Sequence, residues 1–167
     1  MIESHETIAI RRAGIGDVST IHAAILDLSR HLASEEHVLS SEDDLRCYGF
    51  GPEPAFHAHI AEIGGTVAGV CLHFPIFSTW MGRPGVYIQD LYVNEQFRGR
   101  NVGERLLRHV ARLSREAGGA YLRLSVDVDN VSAQAFYEKL SIRRSEYEQV
   151  HKITGEAFAA FCDEDKP

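Results

Sequence analysis

The stretch "VYIQDLYVNEQFRGRNVGERLLRHVARL", residues 86–113, constrains the fold of this chain more than any other. It opens with a run dense in β-branched and aromatic residues, the composition of a central strand. A polar turn with arginines on both sides of Gly99 follows, and from Val102 the apolar positions Leu106, Leu107, Val110 and Leu113 fall on one helical face. The glycines at 118 and 119 end that helix. Strand, glycine-bearing turn and amphipathic helix in direct succession call for a mixed α/β arrangement in which helices cover a sheet.

The rest of the chain supplies the other layers. "TIAIRRA" alternates as a strand, and Asp17 precedes the helical spacing of Ile21, Ile25 and Leu28 as a cap. "SSEDDL" predicts a short capped helix and "YGFGPEP" a loop. "FHAHIAEI" and "TVAGVCLHF" flank Gly64 and Gly65, a hairpin signal. Beyond the long helix, "AYLRLSVDV" predicts a strand, "DNVSAQAFYEKL" a capped helix and "EYEQVHKI" a last strand before a short C-terminal helix. A length of 167 residues predicts one domain over 1–167.

No apolar run approaches the ~20 residues of a membrane span, and the first residues lack a basic segment followed by an apolar one. Cys47, Cys71 and Cys162 are scattered without paired spacing, as expected of reduced thiols in a cytoplasm, and none stands out as a nucleophile. A net charge of −7 argues against nucleic acid as a partner and favours cationic small molecules, and the lack of a long apolar run argues against a membrane. Against that background, residues 98–116 carry six arginines and only two glutamates, a basic island that suggests one anionic ligand held in one place.

Backbone N–H groups at a helix start lack internal acceptors, and the helix dipole favours negative charge there. Gly99 and Gly103 would let the backbone approach a phosphate, and Arg98 and Arg100 supply charge. The dinucleotide fingerprint and the P-loop both fail for want of their glycines and Gly-Lys-Ser/Thr. Taken alone, the stretch also reads as an exposed turn.

Its neighbours change that reading. Arg98-Gly99-Arg100-Asn101-Val102-Gly103, a helix, and then Asn130-x-x-Ala133-x-x-Phe136-Tyr137 resemble the acetyl-coenzyme A site of the GCN5-related N-acetyltransferases (GNAT). The resemblance implies a mixed, mostly antiparallel sheet with splayed central strands flanked by helices. It implies that Arg98 to Glu104 hold the pyrophosphate, that Asn130 and Ala133 contact the cofactor, and that the N–H groups of Leu91, Tyr92 and Val93 hold the pantetheine arm and the developing oxyanion. Asn101 replaces the first motif glycine, and Asn is the side chain that best tolerates positive φ after glycine. Ser141 stands where the family has glycine after "FYEKL", at a helix end where a left-handed residue is common.

By the same resemblance, Tyr137 would act as general acid on the coenzyme sulfur; packing of Phe136 and Tyr137 between helix and sheet is the plainer reading of that pair. Proton transfer from a phenol to a departing thiolate is uphill by only about 2 kcal/mol. A lysine-like acceptor is neutral in about one molecule in 2500 at pH 7, a penalty of about 4.6 kcal/mol, and no side chain is assigned as its base.

"GFGPEPAFHAHIAE", "FPIFSTWMGR", "YIQDLYV" and "VHKITGEAF" sharpen the likeness to the diamine acetyltransferase branch, the spermidine/spermine type with its thialysine-acetylating relatives. That branch implies acetyl-CoA as donor, no metal, a primary amine of a small molecule as acceptor and a homodimer. Trp80, Gln89, Asp90 and Glu146 fall at its amine pocket, but Gln89 replaces a glutamate and Ser78 an acidic residue before Trp80. Two lost acids favour a shorter amine or an amino-acid side chain over a long polyamine. Asp90 could equally serve the strand through a structural hydrogen bond. The acidic run Glu35, Glu36, Glu42, Asp43 and Asp44 is explained by a solvated loop and a helix start. His57 and His59 share a strand face without a third ligand nearby in sequence. A different class stays open at this stage: an acyl-CoA-binding sensor with a decayed acceptor site, kept alive by Gln89, Ser78 and Asn101.

Overall fold

The computed structural model describes residues 7–163, which gather into two compact units dividing after Asn130. The first unit runs β1 (Ala9–Arg12), α1 (Val18–His31), α2 (Glu42–Phe50), β2 (His57–Ile63), β3 (Thr66–Ser78), β4 (Arg83–Val93), α3 (Val102–Glu116) and β5 (Leu122–Leu124). The second holds α4 (Val131–Lys139) and α5 (Gly155–Asp163). The sheet order is β1-β2-β3-β4-β5, antiparallel up to β4, with β5 parallel to β4. A parallel neighbour requires a crossover, which α3 provides. Gly64 and Gly65, both at positive φ (57° and 79°), close the β2–β3 hairpin with the two-residue turn that favours glycine.

The sheet is covered on both faces. Ala58, Ile60, Val70 and Leu72 pack with Ile21 and Ala24 of α1 and Leu45 of α2. The opposite face receives Val102, Leu106 and Val110 of α3, each at most 2% exposed. Gly69 of β3 permits this contact, since a Cβ there would lie 2.7 Å from the Tyr92 carbonyl and 3.0 Å from Val102 Cγ1. Leu113, in the last turn of α3, is 37% exposed rather than buried with its expected face.

Local signals decided several boundaries. The Ser41 hydroxyl accepts from Asp44 N–H at 3.2 Å, and the Asp44 carboxylate accepts from Ser41 N–H at 2.8 Å, a reciprocal cap for α2. That helix continues to Phe50, through residues expected in a loop, because Gly49 is buried against the Phe56 ring where a Cβ would collide. Asp17 precedes α1 but does not cap it with its side chain. Its carboxylate accepts instead from the Arg11 guanidinium, twice at 2.8 Å, and from Gly14 N–H at 2.8 Å.

Two expected strands differ. "AYLRLSVDV" is a strand only over Leu122–Leu124, paired to Val86–Ile88. The ladder stops where β4 carries a bulge: Ile88 faces His73 and Asp90 faces Leu72, leaving Gln89 as the extra residue. Bulges bend and twist the strand that carries them, so the parallel neighbour loses its register there. "EYEQVHKI", residues 146–153, is irregular and exposed. Alternation marks a capacity to pair, and among the described residues that segment pairs with no strand.

Candidate active site

The bulge at Gln89 sets the geometry of β4. Without it Ile88 and Asp90 would share one face; with it Asp90 and Tyr92 face α1 while Ile88 faces α3. Asp90 and Tyr92 close one side of a narrow apolar cleft whose other walls include Ile25 and Leu28 of α1 and Val70 and Leu72 of β3. Burial pushes the Asp90 carboxyl above the usual carboxylate range. Tyr92 donates its hydroxyl to Asp27 Oδ2 of α1 at 3.1 Å, and burial followed by this bond raises its pKa. Gln89 itself is exposed. From Gln89 to Val93 the strand runs beyond its parallel ladder, so no strand among the described residues pairs with the edge that includes Leu91, Tyr92 and Val93. Alternate N–H groups along that edge point away from β3.

The same strand leads into the basic loop. Asn94 accepts from Gln96 N–H at 3.1 Å through its side chain and begins a short helical turn, Glu95–Phe97. Gly99 takes φ 75° and Asn101 φ 62°, the left-handed conformation that asparagine tolerates best after glycine. The first helical bond of α3 joins Arg105 N–H to the Asn101 carbonyl at 3.0 Å, so the N–H groups of Val102, Gly103 and Glu104 have no helical acceptor. Arg100 lies over the Phe97 ring at 5.5 Å and Arg98 is within 3.5 Å of Glu95. Glu104 accepts from Arg108 Nε at 2.7 Å, which partly neutralises the only acid in the first turn. Two left-handed residues, first-turn N–H groups and guanidinium groups form a donor set suited to the pyrophosphate of a nucleotide-type cofactor.

The remaining expected residues lie on other segments of the chain. Trp80 is fully exposed in the turn between β3 and β4. Asn130, whose N–H donates to the Asp127 carbonyl at 3.0 Å, immediately precedes α4. Ala133, Phe136 and Tyr137 lie on α4, with the two aromatic rings 5.1 Å apart edge to face. Ser141 ends that helix at φ 63°, with Ile142 N–H donating to the Tyr137 carbonyl at 2.9 Å. Glu146 is exposed in the irregular segment after it. Cys71 is buried, and burial pushes its thiol up to about 12, so it is no nucleophile.

The acetyltransferase (GNAT) family model matches residues 23–141. The chain belongs to that family. Its members use acetyl-CoA as co-substrate, and this chain is an acetyltransferase of the diamine acetyltransferase-like branch. It is 34% identical to a thialysine N-epsilon-acetyltransferase of Sus scrofa over 145 residues, 82% of this chain and 85% of that protein. An L-ornithine N5-acetyltransferase (NATA1) of Arabidopsis thaliana is 31% identical over 94 residues, 56% of this chain and 41% of the relative. The fold is shared with an integron cassette protein from the mobile metagenome of V. cholerae, with a TM-score of 0.78, 19% identity and coverage of 93% of this chain and 97% of that one.

The contact between Asp27 and Tyr92 was not foreseen from the sequence. Asp27 precedes Leu28 in the apolar pattern of α1 and reads there as a solvent-facing residue. Only the pairing register of β4 brings a tyrosine beneath it.

Proposed function

We propose that this acetyltransferase transfers an acetyl group from acetyl-CoA directly to a primary amine of a small molecule, a diamine or an amino acid of the thialysine type. One observation carries the reading: a strand edge left open beyond Ile88 leads, through one short connection, into a helix start rich in N–H donors and arginine. Bound acetyl-CoA supplies an activated thioester. Gly99 to Glu104 offer backbone N–H groups to the pyrophosphate, with Arg98 and Arg100 adding charge. The Leu91–Val93 edge offers N–H groups to the carbonyl oxygen on which charge develops. Asp90 attracts the cationic acceptor, with Gln89, Trp80 and Glu146 as further acceptor-side residues. Asn130 and Ala133 contact the cofactor. The acceptor ammonium first gives one proton to water; the N–C bond then forms as the C–S bond breaks, the nitrogen gives a second proton to water, and Tyr137 Oη delivers a proton to the sulfur and regains one from solvent. A homodimer belongs to the same reading, which sedimentation of the purified protein tests.

Incubation with acetyl-CoA and a panel of polyamines, diamines, lysine, ornithine and thialysine, following thiol release and product mass, is the direct test. Tyr137→Phe is expected to lower kcat by about 10²–10⁴ while leaving CoA binding nearly intact. An unchanged kcat removes Tyr137 from the mechanism.

A further inference from the structure

We propose that the arginine stripe on the outward face of α3, formed by Arg105, Arg108, Arg112 and Arg115, docks an acidic carrier protein that presents its acetyl group on a phosphopantetheine arm. The enzyme then takes acetyl from a protein-bound thioester as well as from coenzyme A. The proposal rests on the acetyl-transfer reading, with the loop before α3 as its phosphate site, and adds a second donor and the surface that recognises it.

Helical geometry sets the stripe. Spacings of three, four and three residues place the four side chains within about 80° of the helix circumference and along about 15 Å of its axis. That sector lies opposite Val102, Leu106 and Val110, which are buried against the sheet, and all four arginines are exposed. Arg108 Nε donates to Glu104 at 2.7 Å, and among the described residues Arg105, Arg112 and Arg115 stand in no ion pair. Such a row works against the helix that carries it. Like charges three and four residues apart repel each other. Arg105, the fourth residue of α3, also meets the positive end of the helix dipole. An anionic partner turns both repulsions into attraction.

The distribution of charge narrows the choice of partner. Residues 98–116 carry +4 in a chain of −7, so the remaining residues carry −11. Glu35 and Glu36 follow α1 and Glu42, Asp43 and Asp44 open α2, on the side of the sheet away from α3. A second copy related by a twofold axis would need both signs within one patch, so these two surfaces cannot join in a closed dimer. A long nucleic acid would run past the stripe into surroundings charged like itself. A compact acidic domain meets only the local field, which at physiological salt reaches about 8 Å. The place of the stripe supplies the chemistry. Coenzyme A and the carrier share the phosphopantetheine thioester, so the arm's phosphate takes the same N–H groups of Val102, Gly103 and Glu104. The carrier, joined to that phosphate, stands outside the loop from which α3 leads away. The transfer balances as it does for coenzyme A. The acceptor ammonium loses two protons, its nitrogen bonds the acetyl carbon, the C–S bond to the arm breaks and the thiolate takes up one proton, so the carrier leaves as a free thiol and one proton is released.

The test uses an acyl carrier protein in its holo form and charged with acetyl. Binding of the holo form to the full chain is read by fluorescence anisotropy at low and physiological salt, and kcat/KM is measured for acetyl-carrier and acetyl-CoA with an amine that turns over. The wild type should bind the holo carrier, more weakly as salt rises, and accept its acetyl group. Arg112→Glu combined with Arg115→Glu, two to three turns from the loop, should lower kcat/KM for the carrier thioester at least about tenfold through KM and leave that for acetyl-CoA within about twofold. Arg112→Lys with Arg115→Lys keeps the charge and should restore most of the loss. Absence of saturable carrier binding, a charge-reversed variant that binds equally well, or an equal fall with both donors overturns the proposal. So does turnover of acetyl-CoA alone, or capture of a single-stranded oligonucleotide through Arg112 and Arg115 while the carrier is not held. If neither thioester turns over but the holo carrier binds in a way that depends on Arg112 and Arg115, the docking surface stands and the acetyl-transfer reading falls.

Discussion

Asn101 shows how one residue sets the shape of the loop before α3, where we propose that the pyrophosphate binds. With φ 62° it occupies the conformation that costs most side chains about 1–2 kcal/mol and that Asn and Gly tolerate. Asn101→Ala should therefore weaken CoA binding several-fold, and Asn101→Gly should match or improve on the wild type, as calorimetric titration with CoA would read. In the proposed acceptor site, Asp90 carries the opposite tension between stability and function. Burial raises its carboxyl pKa, so the fold disfavours its ionised form, and stability drops as pH rises above the unfolded value of about 3.9 toward that raised pKa. Asp90→Asn should raise the thermal midpoint at pH 7 while raising KM for a cationic amine by about tenfold. A lower midpoint would instead mark Asp90 as a structural hydrogen-bonding residue of the strand.

At the scale of elements, β4 and α3 act together. The bulge at Gln89 turns Asp90 and Tyr92 toward α1 and coincides with the end of β5, so one extra residue both aims side chains and frees an edge. The seating of α3 depends on Gly69, where a Cβ would press on Val102 Cγ1 at 3.0 Å and Leu106 Cδ1 at 3.1 Å. Gly69→Ala is expected to cost about 1–3 kcal/mol by overpacking and to weaken CoA binding by shifting the helix start. Urea unfolding and CoA titration would check both. At the end of α4, Ser141 holds a left-handed conformation, and Ser141→Gly should stabilise by about 0.5 kcal/mol after the entropic cost of glycine is deducted.

Across the whole molecule, pH acts through a cluster of imidazoles that no local pattern revealed. His59 Nδ1 and His73 Nε2 are 3.0 Å apart in the face covered by α3, with the His109 ring 4.8 Å from His59 and His57 5.8 Å from His73. Burial, followed by repulsion from neighbouring cationic groups, pushes both His59 and His73 down to about 4. The groups facing them are Arg12 of β1, His57 of β2 and His109 of α3, with Arg112 and Glu116 acting on His109. Because the unfolded chain takes up these protons near pH 6.5 and the fold resists until about 4, stability should be full above 6.5 and fall as pH drops through that window. Urea midpoints measured from pH 7.5 to 4 would show the decline; a flat profile would mean the cluster is already solvated.

Much of this could be read from the chain itself. The order of strands and helices, the β2–β3 hairpin at Gly64 and Gly65, the left-handed tolerance of Asn101 and the capped start of α2 all rest on signals within a few residues, where steric preference and local hydrogen bonding decide. The acetyltransferase family was legible for the same reason, since the motif that carries the resemblance, Arg98 to Gly103, is a contiguous segment. What the tertiary structure alone decided was set by partners distant in sequence. The stop of β5 at Leu124, the irregular course of residues 146–153, the meeting of Asp27 with Tyr92 and the contact of His59 with His73 depend on register and packing. A strand exists only where an edge receives it, and a side chain 65 residues away comes within hydrogen-bonding reach only once the sheet has chosen which face it presents.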